Sequence, residues 1–403
     1  MTPAPSTRRR KLTLVIHSLA GGGAERTAAR MANHWAEEGH RVTLVTLDSA
    51  AGDRYPLSAA VRRPALDLMG RSSNPLAAVA NNLRRIRRLR AAIAASEPEA
   101  VVSMTDKTNV LTLAACWRMN VPVIVAERTD PRHHKIGRFW SFLRKRLYPR
   151  AAALVVQTRG VREAVRGMAA GRPVYVIPNA VARPGGAPIR AAAADAGDQP
   201  VGPGSFDPDR KRILAAGRLA AEKGFDRLLR AFAQAASRHP QWDLVILGEG
   251  PQRRPLERLA EQLQLAGRVA MPGWSDDVAA AMARCDLFVL SSLYEGFPNA
   301  LAEAMAAGMP VVSYDCQSGP AEIIRDGYDG LLVRSGSVAW LAAAIDRLMG
   351  DEAGRRLLAG HAREVVERFS EARFYQRWEA VLDGAGEDDV AFSTPEGGAL
   401  RGA

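Results

Sequence analysis

Short apolar runs alternate along the chain with longer stretches in which apolar residues recur at helical spacing. In the first half, this pattern predicts strands over 12–17, 41–47, 99–103, 122–126, 153–157 and 174–177. Helices are predicted over 24–38, 75–95 and 108–118. The strand runs are apolar on both sides, which is typical of parallel strands covered by helices on both faces. The first half therefore predicts an α/β unit with a parallel sheet.

The same alternation starts again after residue 209 and predicts a second unit of the same class. The predicted strands span 212–216, 243–247, 268–270, 286–291 and 310–314. The predicted helices span 224–238, 251–264, 275–284, 299–307 and 337–349, with a closing helical stretch at 351–381. We expect an N-terminal domain over 1–181 and a C-terminal domain over 210–370. The linker between them, 182–209, is rich in Ala, Gly, Pro and Asp. A closing helix with a disordered tail is expected over 371–403.

The composition narrows the class of protein. Of the 403 residues, 47% are hydrophobic and 24% are charged, which excludes a mainly disordered chain. No apolar run reaches the length of a membrane span, and the basic start followed by a short apolar run is interpreted as a first strand rather than a signal peptide. Cys116, Cys285 and Cys316 have no disulfide or zinc spacing, which favours reduced thiols in the cytoplasm.

The positive charge is concentrated in one part of the chain. The net charge is +12, and residues 81–150 hold 15 Lys or Arg against 5 Asp or Glu. Such a patch favours an anionic partner, which could be a nucleic acid, an anionic lipid or a phosphorylated substrate. A well-solvated surface is the simpler alternative.

A glycine-rich loop follows the first predicted strand. Gly21, Gly22 and Gly23 allow close backbone approach to a ligand, and the helix that follows attracts an anion at its amino end. Arg26 stands where a dinucleotide motif would have its third glycine, although Asp48 ends the second strand where such an enzyme holds a ribose. We expect this loop to contact a sugar or a phosphate, with an NAD site and a ligand-free turn as alternatives.

Two loops of the second half carry polar or glycine residues between a strand and a helix. Arg218 and Lys223 flank one turn, and two cations so placed can neutralise a diphosphate. Gly248 and Glu249 lie in the next such loop, where glycine permits close approach of a ligand. Ordinary solvated turns are the alternative for both loops.

The loop and helix after the strand at 286–291 carry two glutamates. Glu295 lies in the loop and can accept hydrogen bonds from sugar hydroxyls, whereas Glu303 lies about one turn into the helix. Backbone N–H groups at about 297–301 can bind a phosphate. Gly296 and Pro298 shape the loop tightly. A capping contact and a surface charge are the alternative roles of the two glutamates.

Residues 295–312, EGFPNALAEAMAAGMPVV, resemble the E-x7-E signature of the retaining GT-B glycosyltransferases of family 4. The segment Gly217–Gly224 resembles the diphosphate motif of that family, and 315–333 also fits its pattern. The GGGAER loop and 126–131 resemble a subgroup of bacterial enzymes that extend surface or lipid-linked glycans. The resemblance covers roughly residues 12–370.

The resemblance implies two facing doubly wound domains with an interdomain cleft. It implies transfer of a hexose or N-acetylhexosamine, with retention, from a UDP-sugar to a glycan or polyprenyl-diphosphate-linked acceptor, without a cofactor or metal. By position, Arg218 and Lys223 would hold the diphosphate, Glu295 the donor sugar and Glu303 the ribose. The further residues assigned to substrate are Gly22, Gly23, Glu127, Arg128, Gly248, Glu249, Gly296, Phe297, Pro298, Asn299 and Ala300.

The chain departs from the family pattern in its first half. Relatives place a histidine after a middle strand, but 103–109 contains none. Asp106, Lys107 or Asn109 are the candidates to contribute there. His133 and His134 are adjacent, which does not suit a shared metal, and we interpret them as surface or acceptor-side residues.

Two basic segments, 83–90 and 136–148, combine arginines with apolar or aromatic residues. They favour binding to an anionic membrane surface, which would place the protein at the cytoplasmic face of the membrane. Core packing of the aromatics is the alternative, and no nucleic-acid module accompanies them. A UDP-sugar epimerase of the same architecture and a non-catalytic basic binding protein remain the alternative functions.

Overall fold

A computed structural model describes residues 8–70, 74–183, 210–275 and 277–386. It contains two compact units, one formed by the described residues up to Asn179 and from Phe374 onward, the other by Ala180 to Arg373. Each unit is built on a six-stranded sheet, and every strand pairing within the two sheets is parallel. Almost all of the predicted linker and the predicted disordered tail from residue 387 lie outside the described residues.

The sheet of the first unit confirms all six predicted strands to within one residue at each end. The strands are β1 (Lys11–Ile16), β2 (Arg41–Thr46), β3 (Ala100–Met104), β4 (Val123–Ala126), β5 (Ala153–Val156) and β6 (Val174–Val176). Their order in the sheet is β2-β1-β3-β4-β5-β6. Strand order therefore reverses between β1 and β3, which are neighbours although β2 separates them in sequence.

Among the described residues, five α-helices of the first unit precede the second unit in the chain. They are α1 (Gly23–Glu37), α2 (Pro75–Ser96), α3 (Asp106–Ala115), α4 (Arg138–Leu147) and α5 (Arg159–Ala169). The Asn74 side chain caps α2 by accepting the Ala77 N–H, and Pro75 occupies its first turn. The predicted bounds of α3, 108–118, were wrong at both ends, because the helix stops before Arg118, whose φ of 60° is left-handed.

The second sheet is also parallel, but its strand order differs from that of the first, because two strands rather than one lie beyond the first strand of the unit. Its strands are β7 (Lys211–Ala216), β8 (Trp242–Leu247), β9 (Val269–Gly273), β10 (Leu287–Leu290), β11 (Val311–Asp315) and β12 (Leu331–Arg334). The order is β12-β11-β10-β7-β8-β9, so the reversal point lies between β7 and β10. The sequence did not predict β12, a four-residue edge strand that is only partly buried and so has too little apolar character to stand out.

The helices of the second half begin within three residues of their predicted starts as far as α11, except for the short α10, which the sequence did not predict. They are α6 (Phe225–Ala236), α7 (Arg253–Gln262), α8 (Val278–Ala283), α9 (Asn299–Ala306), α10 (Pro320–Ile323), α11 (Val338–Gly350), α12 (Glu352–Ala362), α13 (Val365–Arg368) and α14 (Glu371–Leu382). The predicted closing stretch is thus three helices rather than one. From Phe374 onward, α14 belongs to the first unit, where Trp378 packs edge-on against Trp35 with ring centroids 6.2 Å apart.

Candidate functional site

The reversal point of the second sheet brings two polar loops together. Residues 217–224 follow β7, and residues 291–298 follow β10. Because β7 and β10 are neighbours, both loops leave the same edge of the sheet at its carboxyl ends. In doubly wound sheets, ligands bind in the crevice at such a reversal point.

Lys223 and Glu295 form an ion pair between these two loops. Lys223 Nζ lies 2.6 Å from Glu295 Oε1, and the two side chains are 22% and 11% exposed. The sequence argument assigned them separate partners, a diphosphate and a sugar, whereas the structure brings them into direct contact. A cation and a carboxylate are therefore available within one partly shielded site.

Backbone contacts fix the distance between the two loops. Ser291 Oγ donates to the Lys223 carbonyl at 2.8 Å, and the Leu293 N–H donates to the Glu222 carbonyl at 2.8 Å. Gly224 has φ +61°, and a Cβ added there would lie 2.2 Å from the Ser291 carbonyl oxygen. Only glycine allows this approach, so the loop that carries Lys223 is held against the end of β10.

We expect Gly224→Ala to destabilise the second unit far more than Gly267→Ala does. Both positions have left-handed φ, +61° and +75°, but a Cβ at Gly267 meets nothing within 4 Å. Left-handed strain alone costs roughly 1–2 kcal/mol, and only Gly224→Ala adds a clash with rigid backbone. Denaturant unfolding of the two variants measures the difference. Equal losses would mean that the contact with Ser291 is not rigid.

Arg218 lies on the exposed side of the same loop. Its side chain is 69% exposed, and its guanidinium pairs with Glu222 one helical turn further on. The charge of Arg218 thus faces solvent at the edge where Lys223 and Glu295 meet. Arg218 is held less firmly than Lys223, since its ion pair is exposed.

The turn after β8 packs against the loop after β7. Gly248 has φ +136°, and a Cβ there would lie 1.9 Å from the Gly217 carbonyl oxygen. The Leu219 N–H donates to the Glu249 carbonyl at 2.9 Å. The Glu249 carboxylate pairs with Arg253 at 2.5 Å. Gly248 therefore has a packing role in the loop, and the substrate roles of Gly248 and Glu249 stay predictions.

Helix α9 begins at the predicted position beside Glu295. Pro298 precedes its first residue, Asn299, and no side chain caps this end of the helix. Glu303 is half-buried in the second turn. Phe297 is buried and packs edge-on against Phe369 at 5.6 Å between ring centroids. The Phe297 side chain thus anchors the loop in the core of the unit.

A third loop, after β11, supports residues 295–298. Ser318 Oγ donates to the Glu295 carbonyl at 2.6 Å. Gly319 has φ +104°, and a Cβ there would lie 2.7 Å from Pro298 Cδ and 3.4 Å from the Gly296 carbonyl oxygen. Three loops from neighbouring strands therefore brace the backbone that positions Glu295.

The glycine loop of the first unit lies at the reversal point of its own sheet, after β1. The Tyr55 hydroxyl is 3.1 Å from both the N–H and the carbonyl of Gly22. Gly22 has φ +153°, and a Cβ there would lie 2.5 Å from Glu25 Oε2. Glu25 in turn lies 3.2 Å from His17 Nε2. Gly23 is the first residue of α1. The protein's own groups thus closely surround Gly22.

Arg128 is buried at the edge of the same sheet. Its Nη2 donates to Thr27 Oγ1 at 3.1 Å and to Asn179 Oδ1 at 2.5 Å. Burial lowers the pKa of Arg128 to about 10, and nearby Glu25 opposes this shift, so the side chain stays charged at neutral pH. Arg128 therefore links α1 to the chain after β6.

The Glu127 side chain is turned inward, contrary to our expectation that it faces a ligand. The Tyr148 hydroxyl donates to Glu127 Oε2 at 2.6 Å, and Arg144 Nη1 lies 3.7 Å from the same oxygen. Burial, followed by the nearby charge of Asp106, raises the pKa of Glu127 to about 7. Tyr148 and Arg144 supply the polar partners that make this burial possible.

We expect the stability conferred by Glu127 to fall as the pH rises from about 5 to 8. Its pKa is raised from 4.5 to about 7 in the fold, so the protonated form is favoured there. The stability that Glu127 confers is fully present below pH 4.5, its ordinary pKa. It is lost as the pH rises through about 7, its pKa in the folded protein. The difference in melting temperature between wild type and Glu127→Gln, measured from pH 5 to 8, tests this. Glu163→Gln, at a half-exposed position, is the control and should show a pH-independent difference.

His134 pairs with Asp106, which the sequence reasoning missed. His134 Nε2 lies 3.1 Å from Asp106 Oδ2, at the carboxyl end of β3. The hydrogen bond with Asp106 raises the pKa of His134, although burial opposes the shift. Asp130 shapes the intervening loop, since its carbonyl accepts the His134 N–H at 2.9 Å. His134 thus contacts the segment 103–109, which itself contains no histidine. The turn residues Asp130 and Pro131 were the sequence signal from which this approach of His134 could have been predicted.

No three His, Cys, Asp or Glu side chains among the described residues are grouped closely enough to hold a metal ion. Asp277 belongs to an acidic pair with Asp276, and its side chain caps α8 by accepting the Ala280 N–H at 2.8 Å. Its neighbour Asp276 and the pair Asp388 and Asp389 lie outside the described residues.

Two family models match the chain, one in each unit. Residues 22–180 match a glycosyl transferase 4-like domain, and residues 202–365 match the glycosyl transferases of group 1. Together they cover most of the chain.

Three curated relatives are bacterial proteins named for the synthesis of glycans. The chain is 44% identical over 43% of its length to an exopolysaccharide phosphotransferase of Streptomyces coelicolor, of which it covers 18%. It is 34% identical over 54% of its length to the lipopolysaccharide core biosynthesis glycosyltransferase LpsE of Rhizobium meliloti, of which it covers 60%. The chain thus spans less than two thirds of these two relatives. It is 26% identical over 91% of its length to a Campylobacter jejuni alpha-1,4-N-acetyl-D-galactosaminyltransferase named for an undecaprenol-PP-linked glycan, of which it covers 97%.

Solved structures share the fold. A sucrose-phosphate synthase from Thermosynechococcus elongatus aligns with a TM-score of 0.75 at 20% identity, covering 94% of this chain and 97% of that one. Anabaena HepE in complex with UDP and glucose aligns with a TM-score of 0.73 at 20% identity, covering 93% and 100%. The family models, the parallel six-stranded sheets and these alignments agree, and the chain belongs to the family-4 glycosyltransferases of GT-B fold.

Proposed function

We propose that this protein is a retaining glycosyltransferase that moves a hexose or N-acetylhexosamine from a UDP-sugar to a lipid-linked or surface glycan. The Lys223–Glu295 pair at the reversal point of the second sheet is the observation that carries this proposal. It supplies a cation for a diphosphate and a carboxylate for sugar hydroxyls in one place. The curated relatives, named for lipopolysaccharide and undecaprenol-linked glycan synthesis, support the acceptor class.

The second unit is suited to stabilise a departing diphosphate. As the bond between the anomeric carbon and the phosphate oxygen breaks, UDP takes the electron pair and gains negative charge. Lys223, Arg218 and the uncapped amino end of α9 would face that charge, and preorganised cations and N–H groups are most effective where charge develops. We expect Lys223 to exchange its contact with Glu295 for the diphosphate, which leaves the Glu295 carboxylate to accept from sugar hydroxyls.

The acceptor oxygen then bonds to the anomeric carbon on the face from which UDP departs, and its hydroxyl proton passes to the departing diphosphate oxygen, so the anomeric configuration is retained. No covalent nucleophile, metal or cofactor is part of this proposal. Glu303 would hold the ribose, and the first unit would hold the acceptor. The Asp106–His134 pair, at the carboxyl end of β3, takes the place of the family histidine as the candidate for a substrate contact there.

Calorimetric titration with UDP, ADP, GDP and NAD, without added metal, tests the donor class. Selective binding of UDP supports the proposal, whereas selective binding of another nucleotide overturns the donor. Turnover of UDP-sugars with a lipid-linked acceptor, with the product anomer determined by NMR, then tests transfer and retention. An epimerised UDP-sugar without transfer would establish the epimerase instead.

The first unit carries exposed apolar and basic side chains on two helices that both pack against α3. On α2, Leu76 is 83% exposed, while on α4 Phe139 and Phe142 are 59% and 61% exposed. Trp140 packs partly against the core. Exposed aromatics beside cations favour insertion at an anionic membrane surface. We therefore propose that this face binds the inner face of the cell membrane, on its cytoplasmic side.

The arginines of α2 have different surroundings. Arg84, Arg87 and Arg88 are exposed. Arg85 instead donates to the carbonyls of Leu68 and Gly70 and holds that loop. Arg90 donates to the Ala115 and Trp117 carbonyls. Of these five arginines, only Arg84, Arg87 and Arg88 are therefore available to lipid headgroups. Among the described residues, no helix is long and apolar enough to cross a membrane.

We expect replacement of Arg84, Arg87 and Arg88 by Gln to weaken binding to phosphatidylglycerol vesicles roughly 100-fold, since each cation contributes about 1 kcal/mol near such a surface. Co-sedimentation measures the loss, and turnover of a soluble acceptor should not change. The control replaces three exposed arginines of the second unit, Arg230, Arg254 and Arg258, and so removes the same charge. Equal losses in both variants would show a non-specific charge effect.

A further inference from the structure

A cavity of about 500 Å³ lies in the second unit at the edge opposite to the Lys223–Glu295 pair. Lys211, Asp286 and Pro310 line it, and these residues stand at or just before the amino ends of β7, β10 and β11. The loops that carry and support Lys223 and Glu295 leave the carboxyl ends of the same strands. The cavity is therefore separate from the proposed donor site and stands apart from the proposed function.

The cavity wall is predominantly positive. Four cations, Lys211, Arg355, Arg356 and Arg363, line it against two carboxylates, Asp286 and Glu352. Glu352 pairs with Arg356 and lies 3.4 Å from Lys211 Nζ, so one acid serves two cations. A surplus of positive charge remains over an apolar floor that includes Met282 and Met309.

One guanidinium group is fixed in place, and a second, which is exposed, lies against backbone. Arg355 is buried, donates to the Leu348 and Met349 carbonyls at the end of α11, and lies 5.0 Å from the Trp242 ring centroid. Arg363 lies against the backbone of Gly308, where a Cβ would be 2.4 Å from its Nε. Gly308 has φ +76° and so permits this approach.

The Arg363 side chain makes no hydrogen bond or ion pair within the described part of the chain. A guanidinium held against backbone at the mouth of a cavity, without a carboxylate of its own, has five donors available for a ligand. Its planar fork matches phosphate oxygens in a bidentate arrangement. The size of the cavity falls in the range of small-molecule sites.

We propose that this cavity binds a small phosphate-bearing anion, with Arg363 and Lys211 as its principal contacts and Arg355 as a fixed positive wall. Binding there is independent of the donor nucleotide and leaves the carboxyl edge of the sheet unoccupied. The phosphate could be carried by a free phosphorylated metabolite or by a lipid headgroup, because both present the same oxygens.

Calorimetric titration with pyrophosphate tests the proposal, in the presence of saturating UDP to block the donor site. We expect binding to persist, to weaken at least about tenfold in Arg363→Ala, and to strengthen in Glu352→Gln. Arg254→Ala removes an exposed arginine elsewhere in the unit and should leave affinity within about twofold. Loss of all binding under saturating UDP, or equal affinity in Arg363→Ala and wild type, would overturn the proposal.

Cys285 provides a second readout, since it lines the cavity whereas Cys116 and Cys316 are buried. In wild type, pyrophosphate should slow the modification of Cys285 by a thiol reagent. In Lys211→Ala, the same protection should need a higher concentration of pyrophosphate. If phosphatidylglycerol vesicles protect Cys285 and soluble pyrophosphate also does, the lipid headgroup is a source; protection by pyrophosphate alone assigns the site to a free anion. Modification that pyrophosphate does not slow contradicts binding in this cavity, and a melting temperature like that of wild type shows that each variant is folded.

Discussion

Glu295→Gln is expected to lower glycosyl transfer at least about 100-fold while leaving UDP affinity within about tenfold. The proposed partner of Glu295 is the transferred sugar, so the variant loses a negatively charged acceptor where the sugar reacts, a loss of the size seen when one preorganised group is removed. The amide keeps the shape of the side chain and can still accept from Lys223, with which Glu295 pairs at 2.6 Å. Calorimetry with UDP and an initial-rate assay with a UDP-sugar separate the two effects.

Glu257→Gln is the matched control. Glu257 lies on α7 of the same unit and is also paired with a cation, Arg253, at 2.9 Å, but its side chain is 44% exposed and has no assigned role in the site. We expect its loss to change transfer much less than that of Glu295. Wild-type activity of Glu295→Gln would refute the assignment of Glu295 to the sugar. Loss of UDP binding with retained folding would move Glu295 to the nucleotide.

Lys223→Gln is expected to weaken UDP binding roughly 10- to 100-fold and to lower transfer by a larger factor. Charge-assisted bonds to phosphate contribute to ground-state binding, and the same cation meets additional charge as UDP departs. The variant also leaves Glu295 without its cation in a site where both side chains are mostly buried. Titration with UDP and a rate measurement with the same UDP-sugar give the two numbers.

Arg230→Gln removes an exposed cation from α6 of the same unit and should leave both the UDP affinity and the transfer rate unchanged. Because Lys223 and Glu295 are in contact, the double variant should lose less than the product of the two single effects. Strict additivity would mean that the two groups act on separate parts of the donor and that their contact has no energetic weight. Unchanged UDP affinity in Lys223→Gln would remove Lys223 from the diphosphate site.

The carboxyl-edge loops could be located from the sequence because the strands are short, apolar on both sides and bounded by glycine. β1 and β7 each precede a loop whose glycines need left-handed backbone, at Gly22 and Gly224. Such local features can be predicted from hydrophobic periodicity and from the residues that favour turns. They also identified Arg218, Lys223 and the start of α9 at Asn299.

The sequence analysis missed several elements. The edge strand β12 and the helix α10 have four residues each, which is too short to show a period. The helices α4 and α5 were not predicted, although both are amphipathic. The inward orientation of Glu127 had no local signal, because its partners Tyr148 and Arg144 come from a later helix and turn. A charged residue at a strand end looks the same in sequence whether it faces solvent or the core.

The sequence by itself determined the class of fold, the edge of each sheet at which the candidate site residues lie, and the residue types available there. Apolar periodicity and glycine positions are local properties, and they are enough to place strands, helices and loops in order. Only the tertiary structure decided which side chains meet: Lys223 with Glu295 across 72 residues of chain, and Asp106 with His134. Such contacts depend on strand order and on the rotamers that packing allows, and neither is encoded in the spacing of residues along the chain.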